Sequence, residues 1–210
     1  MRKKSKVINI LKQHIKNNIK EYSTVILIFI IGIFLAVFFV NNIAQSQKDE
    51  INIYIKDYIN NIKSIEKLDS IELLKISVWQ NLVIAISIWF FGTTVIGVPV
   101  VFALILYRGF CLGYAISTSV LVLGTSQGLI FSMVSLLLQN ILFIPAILGI
   151  SVSGIKLYKS IVKDKRKENI KLEILRHTIF SIVMLVVIIV ASIVEVFIST
   201  NILKLIATYL

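Results

Sequence analysis

The sequence has little charge and almost no cysteine or proline for its length. Charged residues make up 16% of the 210 positions, there are two prolines, and Cys111 is the one cysteine. A single cysteine excludes an intramolecular disulfide. The low charge excludes a water-soluble domain, because a chain of this size could not hide so much apolar surface in its own core.

The motifs by which common enzymes are recognised are also missing. The sequence has no glycine-rich phosphate loop, no HExxH and no GxSxG. Its two histidines, His14 and His177, stand beside lysines on basic flanks, without the cysteine or carboxylate clusters of a metal site. We therefore expect no enzymatic activity, no cofactor and no bound metal.

Apolar residues dominate what is present. They make up 57% of the chain, and the mean hydropathy is +0.91. The net charge of +11 could suggest nucleic acid, but lysine and arginine cluster at the ends of long apolar runs. This pattern is typical of membrane topology. We predict an all-α, polytopic integral membrane helical bundle whose surroundings are a lipid bilayer, with no nucleic-acid partner.

Five apolar runs can be measured against a hydrocarbon core of about 30 Å, which needs about 20 helical residues. The Val78 to Leu123 region can be divided at Gly97-Val98-Pro99 or near Arg108, and either division gives two spans. We place the break near Arg108, because a charge in mid-bilayer costs about 2.5 to 3.5 kcal/mol. Pro99 is then expected to kink a long helix. The predicted single membrane domain covers 23–210, with spans at about 23–40, 78–106, 109–124, 128–155 and 178–200.

Basic residues predict the orientation, because lysine and arginine favour the cytoplasmic side. With the N terminus inside, the basic segment 1–22 contributes seven, the loop 156–177 contributes eight and Arg108 contributes one, which is 16 of the 22. The segment 41–77, whose five lysines are outweighed by six acids, then lies outside. Five spans place the C terminus outside as well. The expected location is the cell membrane.

Apolar residues recur at spacings of four and three within the outer segment 41–77, which predicts an amphipathic helix. Its apolar face either rests on the outer leaflet or against the spans, or docks a partner. Asp69 and Glu72 resemble a capping box, so a second helix is expected to begin there and run into the second span. The candidate docking residues are Ile51, Ile55, Tyr58, Ile62 and Ile65.

Amides and a proline mark the interior of the spans. Gln80 and Asn81 begin the second span, and Gln139 and Asn140 fall in the middle of the fourth, ahead of Pro145. Buried amides either hydrogen-bond between helices as structural contacts or line a path for a substrate or ion. Glu195 is expected to reach the outer interface, and neither an inverted repeat nor a charged pair near the midplane is evident, which weakens a transporter interpretation.

Small residues repeat every four positions at Gly109, Gly113 and Ser117 in the third span. A face without bulk lets another helix backbone approach closely. The partner is either a helix of the same chain or a second subunit, so a homo-oligomer stays open.

The order of these features resembles the stage II sporulation protein M family over essentially the whole chain. The resemblance rests on the basic N terminus and first anchor, the outer segment near Gln47-Lys48, Gly97-Val98-Pro99, the Gly109 to Gly113 element and the run from Val134 to Ala146. Its most specific part is Gln139-Asn140 with Pro145 downstream and Gln127-Gly128 upstream. The family tends to place histidine and proline where this chain has Gln127 and Leu138.

The resemblance implies a scaffold rather than an enzyme. Proteins of this family act in the mother cell during endospore formation, in septal thinning and engulfment of the forespore. They recruit two peptidoglycan-degrading partners, stage II sporulation proteins D and P, into a membrane-bound complex. The expected function is therefore recruitment, with the chemistry left to the partners. A small-molecule or ion transporter or channel is the alternative.

Overall fold

The computed structural model describes residues 15–64, 70–94, 96–163, 170–199 and 201–203. Within these ranges every regular element is helical, and five helices are long and apolar enough to cross a membrane. The all-α prediction and the number of spans are confirmed. Of the predicted segments, residues 1–14, 65–69, 164–169 and 204–210 lie outside the described part of the chain.

The helical elements are numbered in the order in which they occur along the chain. Two elements have the wider π-helical turn, and the others are α-helices. Helices α1, α3, α4, α6 and α7 supply the five spans. The elements are α1 (Ile19–Asn42), α2 (Gln45–Ser64), α3 (Ser70–Gly92), α4 (Gly97–Leu123), α5 (Thr125–Ser132), π1 (Met133–Leu137), α6 (Leu138–Lys163), α7 (Ile170–Val194) and π2 (Glu195–Ser199).

The break between the second and third spans differs from the prediction. Helix α3 ends at Gly92 and α4 runs without interruption through Arg108, so the predicted division at 106–109 is wrong. The expected kink at Pro99 is wrong too, because Pro99 lies in the first turn of α4, where a missing N–H leaves no hydrogen bond unmade. A Cβ on Gly97 would lie 1.6 Å from the Phe91 carbonyl oxygen, so the connection needs glycine there.

The third and fourth spans are joined by a tight turn at Gly124. Its φ of 81° is one that side chains rarely tolerate. Helix α5 then folds back along α4, and a Cβ on Gly128 would lie 2.5 Å from the Ser119 carbonyl oxygen. The chain continues through π1 into α6. The fourth span therefore covers Gln139–Val162 rather than 128–155.

Helix α6 is the centre of the bundle. Two-thirds of its apolar span is buried, a far larger share than in any other span of the described chain. Phe143, Ile147 and Ile150 are fully enclosed, and they pack with residues of α1, α3, α4 and α7 in one core. Gly154 of α6 meets Gly92 of α3 backbone to backbone, with a Cβ on Gly154 only 2.9 Å from the Gly92 Cα.

The two ends of the bundle are named after one residue at each, Glu21 and Gly124. At the Glu21 end, the carboxylate of Glu21 accepts a hydrogen bond of 2.6 Å from Lys159 of α6. At the Gly124 end lie the turn at Gly124 and the first residues of α3 and α6. Helix α2 also contacts this end, because the buried Ile59 packs with Phe131 and Leu203.

Candidate functional site

A ladder of polar side chains joins α3 to the last spanning helix, near the Gly124 end. The hydroxyl of Ser77 donates a hydrogen bond to the carboxylate of Glu195, at the start of π2. One turn deeper, the amide of Asn81 donates to the Ser192 hydroxyl at 3.0 Å. Asn81 and Ser192 are both buried. The Asn81 amide therefore makes a structural hydrogen bond between helices, which is one of the two roles considered for the buried amides.

The sequence places Glu195 within reach of an outer interface, and the structure shows what its carboxylate contacts near the Gly124 end. Glu195 faces Ser77 across the helix interface and lines a partly open cavity of about 170 Å³ between the helices. Arg108 lines the same cavity from α4. A basic and an acidic side chain therefore share one space between the helices, whereas the sequence showed no charged pair near the midplane.

Arg108 is not on the cytoplasmic flank that the sequence suggested. Its guanidinium carbon lies 4.3 Å from the centroid of the Phe143 ring, a cation–π contact between α4 and α6. The charge thus faces an aromatic ring, a carboxylate and amides rather than lipid. This explains why α4 can continue through an arginine in mid-span.

Gln139 and Asn140 complete the cavity wall at the start of the fourth span, not in its middle. Both are buried. The Asn140 amide nitrogen donates to the Leu136 carbonyl at 2.7 Å, whereas its Oδ1 has no hydrogen-bond partner. Gln80 reaches the same cavity from α3, and its side chain is exposed. The four amides predicted from sequence thus converge on one place.

The small-residue stripe of α4 contacts another helix of the same chain. A Cβ on Gly113 would lie 2.7 Å from the Ile33 carbonyl oxygen of α1, and one on Gly109 would lie 2.2 Å from the Phe29 carbonyl oxygen. Gly32 of α1 lies equally close to the Leu106 carbonyl. Of the two open alternatives, the structure favours an internal partner.

The predicted docking residues do not share one free face of α2. Ile51 and Ile55 are half-buried, with Ile55 packed on the cluster around Ile59, whereas Tyr58 is exposed. The side chain of Ile62 and the whole of Ile65 lie outside the described residues. The exposed apolar side chains of α2 are Ile53, Tyr54 and Tyr58.

His177 lies inside the bundle, whereas the sequence analysis placed it on a basic flank. It is buried between α3, α6 and α7, with Nδ1 at 2.9 Å from the Ser153 hydroxyl and Nε2 at 3.4 Å from the Trp89 carbonyl oxygen. Through these contacts His177 joins α7 to α6 and α3. Among the described residues no histidine, cysteine or carboxylate cluster could hold a metal.

Sequence reasoning also missed Ser77 and Ser192, the hydroxyl partners of Glu195 and Asn81. The i+4 spacing of Ser77 and Asn81, which puts both on one face of α3, was the available signal.

Comparison with known proteins places the chain beside a known family. A family model described as stage II sporulation protein M matches residues 25–200, which cover all five spans almost completely. No curated protein and no solved structure matches the chain.

Proposed function

This chain belongs to the stage II sporulation protein M family, and we propose that it is a non-enzymatic membrane scaffold of endospore formation. Membership makes it a sporulation-related membrane protein, and its five apolar helices make it a multi-pass one. The finer role is recruitment of the peptidoglycan-degrading stage II sporulation proteins D and P. It serves septal thinning and forespore engulfment from the mother-cell side.

The observation that carries the proposal is the exposed face of α2. Ile53, Tyr54 and Tyr58 are the exposed apolar side chains of this helix, with Tyr54 74% exposed. Tyrosine is enriched among the residues that dominate protein interfaces, because its ring buries a large area at little entropic cost. Since the other face of α2 is fixed to the bundle by Ile59, the tyrosines are held on a defined surface.

The orientation of this surface follows from the positive-inside rule. Removing Arg108 from the cytoplasmic count leaves the segments 1–22 and 156–177 with 15 of the 22 basic residues, so the expected orientation is unchanged. Helix α2 then faces the cell wall, where peptidoglycan-degrading partners act.

The experiment is capture of the D and P proteins by the full chain from sporulating membranes. We expect the triple variant Ile53→Ser, Tyr54→Ser, Tyr58→Ser to insert normally and to lose at least about tenfold of the captured partners, since loss of one such contact costs more than 1 kcal/mol. The matched control is Lys56→Ser with Asn60→Ser, two exposed polar positions on the same helix. Undiminished capture by the triple variant, at wild-type membrane levels, would contradict the docking role of α2.

A transporter is the second candidate, and the cavity shared by Arg108 and Glu195 is the observation that favours it. Charged residues inside a membrane bundle often mark the path of a substrate or ion. Reconstituted protein that moves a small ion or solute, with Arg108→Met abolishing the flux and leaving partner capture intact, would support transport. If the reconstituted protein moves no ion or solute, and Arg108→Met loses the captured partners, the result would support the scaffold.

A further inference from the structure

An apolar groove of about 410 Å³ lies directly beside the polar cavity, between α4, α5, π1 and α6. Its volume falls within the roughly 300 to 1,000 Å³ of pockets that bind small molecules. Leu112, Leu136 and Asn140 line both spaces, so the two adjoin along a shared wall. The remaining lining of the groove is apolar apart from Ser132 and consists of Ile116, Leu129, Met133, Ile141, Ile144 and Pro145.

The shared wall carries an unsatisfied hydrogen-bond acceptor. Asn140 is only 7% exposed, and its Oδ1 has no partner, although its amide nitrogen is bonded to the Leu136 carbonyl. A buried acceptor without a donor costs about 1 to 3 kcal/mol. A ligand that brings an N–H or O–H group to this atom recovers that free energy.

The charged side chains of the cavity determine which head group the ligand can carry. Arg108 supplies a cation and Glu195 a carboxylate on the same walls. A ligand head with one net negative charge would leave the charges of this cavity unbalanced, which is costly inside a bundle of low polarity. A zwitterionic head keeps the total charge unchanged, with an anionic group towards Arg108 and a cationic group towards the acceptors.

We propose that the cavity and groove together bind one membrane lipid with a phosphoethanolamine head. The phosphate lies towards Arg108, the primary ammonium donates to Asn140 Oδ1, and an acyl chain occupies the groove between α4 and α6. An ammonium group has three N–H donors, whereas the quaternary amine of phosphatidylcholine has none. The site therefore distinguishes the two zwitterionic lipids by a hydrogen bond.

The occupant is a lipid rather than the spanning helix of a partner. Helices associate in membranes where small residues let their backbones approach. Among the described residues that line the groove, Ser132 is the one small side chain, and its hydroxyl donates to the Gly128 carbonyl of its own helix. The glycines that do permit close approach, at Gly32, Gly113, Gly92 and Gly154, are used between helices of this chain.

The test uses the full chain in detergent with equimolar phosphatidylethanolamine, phosphatidylcholine and phosphatidylglycerol of identical acyl chains. Native mass spectrometry then counts the lipid that stays bound. We expect phosphatidylethanolamine to be retained about tenfold more than phosphatidylcholine, the ratio that one hydrogen bond to a buried acceptor supports. It should also be retained more than phosphatidylglycerol, whose hydroxyl groups can donate to Asn140 but whose net negative charge leaves the cavity unbalanced. Equal retention of the three lipids overturns the proposal.

Two variants separate the head from the chain. Asn140→Leu removes the acceptor and should reduce the preference over phosphatidylcholine to about one, whereas Asn42→Leu should leave that preference unchanged. Asn42 makes the same 2.7 Å bond, from its amide to the carbonyl four residues earlier, but is exposed and away from the cavity. Ile141→Trp fills the groove and should lower retention of all three lipids, and Ile86→Trp on exposed α3 surface is its control.

Unchanged lipid preference in Asn140→Leu, with a wild-type melting profile, contradicts the assigned head position. A photo-crosslinking residue in place of Met133, which lines the groove, distinguishes the remaining occupant. Lipid-sized adducts in native membranes support the proposal, and protein-sized adducts assign the groove to a partner helix and overturn it.

Discussion

The guanidinium of Arg108 packs over the ring of Phe143, 4.3 Å from its centroid, and joins the third span to the most enclosed ring of the central helix. A desolvated contact of this kind contributes about 2 kcal/mol. It holds the arginine at the cavity wall, with Glu195 on the same wall. The contact is therefore the structural reason that a cation can occupy the interior of α4.

Coupling between the two cavity charges is the first prediction. Replacing Arg108 with Met leaves the carboxylate of Glu195 without its nearby cation, so we expect a clear loss of stability. The double variant Arg108→Met, Glu195→Gln should recover about 1 to 3 kcal/mol of that loss, because residues in one network are coupled. Thermal unfolding of the purified single and double variants in detergent measures the difference. Strict additivity of the two single effects would show that the charges do not interact.

The number of spans was predictable from sequence, but the position of one break was not. Five apolar runs of sufficient length exist whichever division is chosen between Val78 and Leu123. The predicted break between the second and third spans was wrong because it assumed that Arg108 would face lipid. The groups that compensate it, Phe143 and Glu195, are distant in sequence and meet it only when the helices pack.

The candidate site was predictable only in part, for the same reason. The amides Asn81, Gln139 and Asn140 stand out in apolar runs, whereas Ser77 and Ser192 do not, because serine is common in membrane helices. That these side chains surround one cavity depends on the antiparallel packing of α3 and α7. No periodicity within a single helix contains that information.

The position of the break gives the second prediction. With native Cys111 replaced by alanine, a cysteine at Ile96 should react with a membrane-impermeant maleimide, because residue 96 precedes α4 and is 83% exposed. A cysteine at Tyr107 should stay unlabelled, because it lies within the spanning helix and faces outward to lipid. Labelling is compared in sealed and opened membrane vesicles.

The opposite pattern, with Tyr107→Cys reactive and Ile96→Cys protected, would restore the break near Arg108. Reporter fusions give an independent control of sidedness. A reporter fused after Lys165 should read cytoplasmic and one fused after Leu210 should read external, because the fifth span lies between the two positions.

Close packing of α1 on α4 gives the third prediction. Gly113→Leu places a branched side chain where a Cβ alone would lie 2.7 Å from the Ile33 carbonyl oxygen, so we expect the protein to accumulate poorly in the membrane. Gly149→Ala is the control, because its Cβ would meet the Phe180 ring at 3.4 Å and the Met184 sulfur at 3.9 Å, both ordinary contacts. Immunoblotting of membrane fractions compares the two. Equal accumulation would remove the stripe from the packing argument.

Attachment of α2 to the bundle is the last prediction. Ile59 is buried against Phe131 and Leu203, whereas Tyr54, on the same helix, is exposed. Ile59→Ala should destabilise the docked helix by about 2 kcal/mol, the lower end of the cost of such a truncation in a packed core, and Tyr54→Ala should change it by less than about 0.5 kcal/mol. The five spans should remain inserted in both, since their backbone hydrogen bonds are internal. Hydrogen exchange of the α2 amides measures the opening free energy directly, and the expected result is about thirtyfold faster exchange in Ile59→Ala, confined to α2. Equal exchange in the two variants would mean that Ile59 does not hold the helix, and the surface of Ile53, Tyr54 and Tyr58 would lose its fixed orientation.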